Sequence, residues 1–461
     1  MSPHEGQVDV VIVGGGIAGL SAAWALREHN VLLLEERPRF GGRIRSVSHG
    51  DYWVNVGAQM FPGDETLIGR IALQLGVKAI PIPGVIHGLA MGGRIHAPKR
   101  MELMPLVLPL TVKERIAFAR AGLKLQHGVR RYHQVAARRP GESDITYRDR
   151  VIHYESERTF AEYLGPLPGA VDGIFRNVAR RTVAEPETLS AGAGLALFSD
   201  VMGRKSSSAT FTRSVVGGTE TIPQEIKRRL GDRLVSGAQV TRVETVGETV
   251  RVSYTQEGRR SEVTASHALV ATPAGTTADL LHPADDALQQ ALRTVKYGAF
   301  LAMAVFTDEE GAQDWDRLYA VATPGLRFDF VFNHANPLRS PGRRARGGSF
   351  MMFAGGPRAA EMIDTLDDDQ ITKLYLDDLH SLLPGTRGHV VKTQVQRWPL
   401  GNIVATPGRA SLQPVLERGV PGGRVLLAGD YFAHLGGMEP AVRTGMAAAD
   451  RIHARLTART S

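Results

Sequence analysis

The 461-residue sequence predicts an α/β fold: a β-α-β unit, a β-meander, and a second, mixed α+β domain. Three observations carry this. Residues 8–13 are a β-branched run broken only by Asp9, as in a strand buried on both faces. Gly14-Gly15-Gly16 ends it, the Ala- and Leu-rich stretch 17–29 reads as a helix, and 31–34 is a second buried strand. Such a unit implies a parallel pair and a right-handed crossover. Further on, 240–246, 249–254 and 261–265 alternate in polarity with turns between them, as a meander does, and 268–271 is another buried strand. Residues 188–198 and 221–230 look helical. Residues 301–306 and 328–332 look like strands of a different sheet. The last strand is 425–428 and the last helix 440–456.

Apolar residues are 43% and charged residues 22%, ordinary for a soluble globular chain. No apolar run reaches the ~18 residues of a membrane span; the stretch 101–110 is short and holds Glu102, Pro105 and Pro109. The first residues lead straight into a strand, so no signal peptide is expected. The absence of cysteine excludes disulfides, thiolate nucleophiles, Cys-ligated zinc, iron–sulfur clusters and a cysteinyl-linked cofactor, and fits a cytoplasmic protein. Net charge is +8, but residues 94–139 hold eleven Lys/Arg against Glu102 and Glu114. The basic character is therefore local, and no nucleic-acid partner is expected.

Gly14-x-Gly16-x-x-Gly19 lies between the first strand and the first helix. Gly14 permits the tight turn, Gly16 lets the backbone approach a pyrophosphate, and Gly19 lets helix and strand pack closely. The helix N-terminus then offers free N–H groups to phosphate. Glu35 ends the second strand at the spacing that sets a carboxylate on an adenosine ribose. That carboxylate would repel a 2′-phosphate, which disfavours NADP. Directly behind comes Arg39-x-Gly41-Gly42-Arg43-x-x-Ser46. Its glycines let the chain fold back over the first motif, where Arg43 can reach the pyrophosphate as a bidentate donor.

With these motifs the sequence resembles the flavin-containing superfamily of monoamine and polyamine oxidases, protoporphyrinogen oxidases and phytoene desaturases. Residues 14–46 are similar to its FAD fingerprint nearly position for position. Gly57-Ala58-Gln59 resembles the segment that runs past the flavin ring. Gly217-Gly218-Thr219 followed by Val240 resembles the stretch whose valine backbone meets the adenine. Ala271-Thr272-Pro273 resembles a strand end of that family. Ala428-Gly429-Asp430-Tyr431, then Gly437-Met438-Glu439-Pro440, resembles the C-terminal signature. There Asp430 can meet ribityl hydroxyls, and the helix beginning near Glu439-Pro440, with Pro in its first turn, can point its positive end at the flavin. The resemblance implies noncovalent FAD in a Rossmann-like domain assembled from 1–85, 215–285 and 390–461. A substrate domain would be built from 86–214 and 286–389.

Two positions depart from monoamine oxidases. Ala302 stands where those enzymes carry a lysine near flavin N5, and Gly437 stands where they carry half of an aromatic cage. The expected function is an FAD-dependent oxidoreductase taking hydride from a C–H bond of a small, apolar or aromatic, non-amine substrate. The acceptor is O₂ or another oxidant. An amine or amino-acid oxidase with a divergent site, and a redox-neutral FAD isomerase or binding protein, are the alternatives. Trp398, Tyr431 and His434 are the pocket candidates; Trp398 is equally read as a core anchor, and for His434 capping or solvation is the plainer reading than an acid/base. His87, His96, His127, His133 and His434 show no metal-ligand spacing. Within 101–139 a helix over 111–139 carries an apolar stripe at Phe118, Leu125, Val129 and Tyr132 with basic residues around it. It could rest peripherally on an anionic membrane. The plainer reading is a stripe packed in the core with solvated charges.

Overall fold

The computed structural model describes residues 7–59, 61, 63–99, 101–202, 213–283, 285–339 and 344–460. Two seven-stranded sheets organise them. In the first, Gln7–Val13 is central and parallel to its neighbours on both sides, with Val13 opposite Val270 and Leu34. This explains its unbroken apolar run. The order is Ala238–Val246, Thr249–Gln256, Arg259–Val270, Gln7–Val13, Val31–Glu35, Leu234–Ser236. Val425–Leu427 joins the far end of Arg259–Val270 in parallel.

The runs 261–265 and 268–271 are thus one strand. Its first half pairs antiparallel with Thr249–Gln256 and its second half lies between two parallel partners. Burial along it changes from alternating to continuous, so the sequence pattern breaks without a turn. The helix expected over 188–198 starts later, as Ala191–Met202, because Ser190 is tied to Ala405 and Thr159 by backbone contacts.

The second sheet runs Val390–Val404, Lys296–Thr307, Gly348–Gly355, Phe330–Asn333, Ala320–Ala322, Gly88–Met91, Arg94–His96. Trp398-Pro399 lies inside its edge strand. Pro399 is tolerated there because the register slips between Phe300↔Trp398 and Gly298↔Asn402. This strand hydrogen-bonds along Lys296–Thr307, so 390–404 belongs with the second sheet and not with the first as expected. Likewise Leu288, Ala291 and Leu292 of the helix Asp286–Thr294 pack on the first sheet.

Lys296–Thr307 separates two clusters by residue parity. Leu301, Met303 and Val305 meet Ile371, Tyr375 and Leu379 of the helix Asp368–Leu382. Ala302, Ala304 and Phe306 face Val54, Val56, Phe332 and Phe353. On this second side a helical layer closes the molecule. In its helix Val112–Ala136 the stripe Phe118, Leu125, Val129 and Tyr132 packs inward with Phe160, Phe175 and Phe198, which is the plainer of the two readings. Arg115 is not a free charge: it donates to the carbonyls of Pro105 (2.7 Å), Leu106 (2.8 Å) and Leu108 (3.1 Å). Arg339 and Arg344 turn inward to Asp316, and Arg344 reaches Glu309 at 2.8 Å.

The helix Met438–Thr460 returns to pack on Ile17–Ala25. A Cβ at Gly445 would fall 2.2 Å from the Ala18 carbonyl oxygen. Helix propensity favours Gly→Ala by about 1 kcal/mol, but here the contact decides. Gly445→Ala should destabilise by about 1–3 kcal/mol. Gly122→Ala, in a helix with open space around it, should stabilise slightly. Urea denaturation followed by circular dichroism reads both signs.

Candidate active site

Four separate stretches of sequence meet at the carboxyl ends of the first sheet. Gly14 takes φ +104° and turns the chain. A Cβ at Gly19 would lie 2.0 Å from the Gly14 carbonyl oxygen, so glycine sets how closely helix and strand approach. The helix Ile17–Ala25 begins at Gly16 with no side-chain cap and no acidic residue in its first turn. The space where a Gly16 Cβ would point is open. Uncapped N–H groups beside open space make an anion site.

Gly41 donates its N–H to the Gly15 carbonyl at 2.8 Å, and a Cβ at Gly42 would lie 3.1 Å from the Gly16 Cα. The second motif therefore lies directly over the first. Arg39 is spent on the carbonyls of Gly42 (2.6 Å) and Ile44 (2.9 Å). Arg43 points instead to Asp430, with Nη2 2.9 Å from Oδ1. Burial alone would push the Arg43 guanidinium down, but the Asp430 carboxylate outweighs it and holds it up. Glu35 accepts from the N–H groups of Gly15 (2.5 Å) and Arg37 (3.0 Å), while burial pushes its pKa up. Val240 lies opposite Tyr254, in a strand whose entry Gly237 is bonded to the Arg37 carbonyl just past Glu35.

The segment Gly57-Ala58 lies along the second motif. Ala58 donates to the Arg43 carbonyl at 3.0 Å, and a Gly57 Cβ would fall 2.1 Å from that same oxygen. Thr219 fastens it: its hydroxyl donates to the Ala58 carbonyl (2.8 Å) and its N–H to Asn55 Oδ1 (2.9 Å). On the other side the Gly429 N–H is bonded to Thr444 Oγ1 at 3.0 Å. A Gly436 Cβ would fall 2.0 Å from Asn402 Oδ1 and 2.9 Å from Asp430 Oδ2. The buried Met438 opens the last helix beside them.

The pocket candidates do not converge. Trp398 donates Nε1–H to the Val56 carbonyl at 2.7 Å and lies beside Arg39. Tyr431 stacks on Phe432 at 4.8 Å, and both sit in the cluster behind the first sheet. His434 is buried against Gly192, held neutral by burial near pKa 3, and its ring donates to the Val151 carbonyl in the last turn of the helix Asp144–His153, so it is a helix-end cap and is not solvated. The Gly217-Gly218-Thr219 match contained Thr219 without giving it this role, and sequence reasoning missed Asn402 and the buried Arg409, which donates to the Tyr431 carbonyl and is pushed down to about 10 by burial. It also missed that Glu439 accepts from Leu67 and Ile68, capping the helix Leu67–Gln74. None of these carries a local sequence signal, because each partner is distant in the chain.

One face of the second sheet carries a row of rings. Phe300 stacks on Phe353 at 4.5 Å, Phe353 on Phe330 at 5.4 Å, and Phe330 on Phe332 at 6.0 Å. Tyr319 and His334 continue it at 6.0 Å. Ala302 lies opposite Phe353 and Gln396 on this face. It places no titratable side chain there.

The uncapped helix start, the open space at Gly16, the buried Glu35 and the paired Arg43 suit a pyrophosphate-linked dinucleotide, so the residues fit FAD. Fold and site together define a dinucleotide-binding α/β protein with an aromatic-faced second sheet. The model of the family of flavin containing amine oxidoreductases matches residues 17–453, and the chain belongs to that family. FAD is the family's cofactor, and a sequence without cysteine cannot link it through one.

Amine oxidase [flavin-containing] A of Bos taurus is 29% identical over 53% of this chain and 46% of its own length. An L-amino-acid oxidase of Protobothrops flavoviridis is 24% identical over 95% of this chain and 88% of its own. The chain spans about half the length, or less, of the flavin-containing amine oxidases it matches. Among solved structures, putrescine oxidase bound to putrescine superposes with a TM-score of 0.76 at 19% identity, covering 97% of this chain and 99% of that one. Cyclohexylamine oxidase from Brevibacterium oxydans does so at 0.74 and 18%, covering 98% and 99%.

Replacing Arg43 by Ala leaves the nearly buried Asp430 carboxylate unpaired, a loss of about 3–5 kcal/mol. Arg43→Ala should be purified with little or no flavin, and Arg43→Lys with part of it. Acid precipitation of the unaltered protein should leave its flavin in the supernatant. Absorption spectra check all three.

Proposed function

We propose that this chain is an FAD-dependent oxidoreductase that oxidises an amine or amino acid bearing an apolar or aromatic group. The observation that carries the reading is that the family match runs through both sheets, 17–453, including the sheet that would face substrate. The non-amine substrate expected from Ala302 and Gly437 is therefore set aside in favour of the amine alternative. Both departures remain, and they describe how the pocket diverges.

When bound, FAD accepts the electron pair of a substrate C–H bond and passes it to an acceptor, for which O₂ is the candidate. The chain's own share is positional. Gly14, Gly16, Gly19 and Arg43 would hold the pyrophosphate, and Glu35 and the Val240 backbone the adenosine. Gly57, Ala58, Gly429, Asp430 and Met438 would border the ribityl and ring. The aromatic row would take the apolar part of the substrate and exclude water. Ala302 holds no proton and orders no water, so the substrate amine would lose its proton to solvent before binding. The cofactor domain would comprise 1–85, about 215–295 and 405–461, and the substrate domain the rest.

A second reading concerns peripheral membrane contact. Opposite its buried stripe, the helix Val112–Ala136 exposes Val112 (74%), Ile116 (47%) and Leu123 (67%). Leu103, Leu106 and Val107 are exposed just before it. Lys113, Arg120, Lys124 and Arg130 flank this outer stripe and are exposed. An outer apolar stripe edged by cations suits an anionic bilayer. Among the described residues no helix is long and apolar enough to cross a membrane.

Anaerobic mixing with a panel of arylalkyl amines and amino acids should bleach the flavin bands; bleaching by none of them, with normal dithionite reduction, rejects the oxidase reading. Sedimentation with phosphatidylserine vesicles at low salt should carry the protein down, and Ile116→Glu/Leu123→Glu should release it. Protein left in the supernatant rejects the membrane contact.

A further inference from the structure

His334 is buried and bonded at both ring nitrogens. The backbone N–H of Asn55 meets Nδ1 at 3.1 Å, and Gln59 Oε1 lies 2.8 Å from Nε2. A backbone N–H can only donate, so Nδ1 must carry the lone pair. Burial holds the ring neutral, near pKa 3, so its one proton is on Nε2. That N–H needs an acceptor, which fixes the Gln59 amide with its oxygen toward His334. The NH₂ end is left over, and among the described residues it has no hydrogen-bond partner. Gln59 directly follows the Gly57-Ala58 segment beside Arg43, and His334 ends the aromatic row against Tyr319 and Phe332.

We propose that the Gln59 amide, oriented by the Asn55–His334 pair, is the specificity determinant that recognises a carboxylate or carbonyl oxygen on the substrate. The NH₂ group offers donors only, so it pairs with an oxygen and gains nothing from an ammonium group. This rests on the oxidase reading and narrows it. The substrate class becomes an amine that also carries an acceptor oxygen, such as an amino acid with an aromatic side chain. Gln59 would touch substrate; His334 is a positioning residue acting through it.

The test is equilibrium binding to the flavin-loaded protein by calorimetry, using phenylacetate and its oxygen-free counterpart ethylbenzene. Neither needs turnover, so the result is independent of whether any amine is oxidised. Phenylacetate should bind the unaltered protein more tightly. Gln59→Leu should weaken phenylacetate about tenfold or more and leave ethylbenzene unchanged. His334→Leu, which frees the amide to rotate, should give a smaller loss with the same split between ligands. Equal losses for both ligands, or no loss for phenylacetate in Gln59→Leu, overturn the proposal. If the split holds while no amine bleaches the flavin, the recognition site stands and the oxidase reading falls.

Discussion

The ion pair between Arg43 and Asp430 is the constraint on which the rest of the site depends. Each residue comes from a glycine-bordered turn at the end of the first sheet, and the two are 387 positions apart. Burial penalises both charges, so the pair is stable only because each supplies the other's counter-charge. That requirement fixes the second motif over the first, the Gly57-Ala58 segment along the second, and the opening of the last helix beside all three. Exposed ion pairs elsewhere on the surface have no comparable leverage.

The two sheets divide the chemical labour. The first presents backbone N–H groups, the carboxylates of Glu35 and Asp430 and the Arg43 guanidinium, and so deals in charge and hydrogen bonds. The second presents rings and small side chains from alternate residues of Lys296–Thr307, and so deals in shape and exclusion of water. Gln59 and His334 stand where the two meet. Their geometry is set by a backbone N–H, which cannot reorient as a side chain can.

Much of the first sheet was legible in the sequence because its determinants are local. Glycines must stand where the chain turns or approaches closely, and a strand buried on both faces must be apolar throughout. The helix 221–230 was read with the bounds it has. What was not legible depended on distant partners. Arg259–Val270 looked like two strands because its surroundings change halfway along. Val390–Val404 looked like part of the first domain because the strand it pairs with, Lys296–Thr307, lies about a hundred residues earlier. Tyr431 and Trp398 looked like neighbours because both are aromatic and near the signature, yet Tyr431 packs in the cluster behind the first sheet while Trp398 is bonded to the Val56 carbonyl. The outer stripe of Val112–Ala136 was hidden behind the inner one, since a single helix can carry two.

The order in which the first sheet is completed bears on how the protein is made. Its central strand emerges first, but its neighbour Arg259–Val270 and the final strand Val425–Leu427 appear hundreds of residues later. At the ~5–20 residues per second of synthesis, Arg43 waits about 20–80 s for Asp430. For the first part of that interval, until Arg259–Val270 emerges, a strand that is apolar on both faces has no permanent neighbour on one side. Until the sheet closes, that unpaired apolar edge is the part of the nascent chain most prone to aggregate.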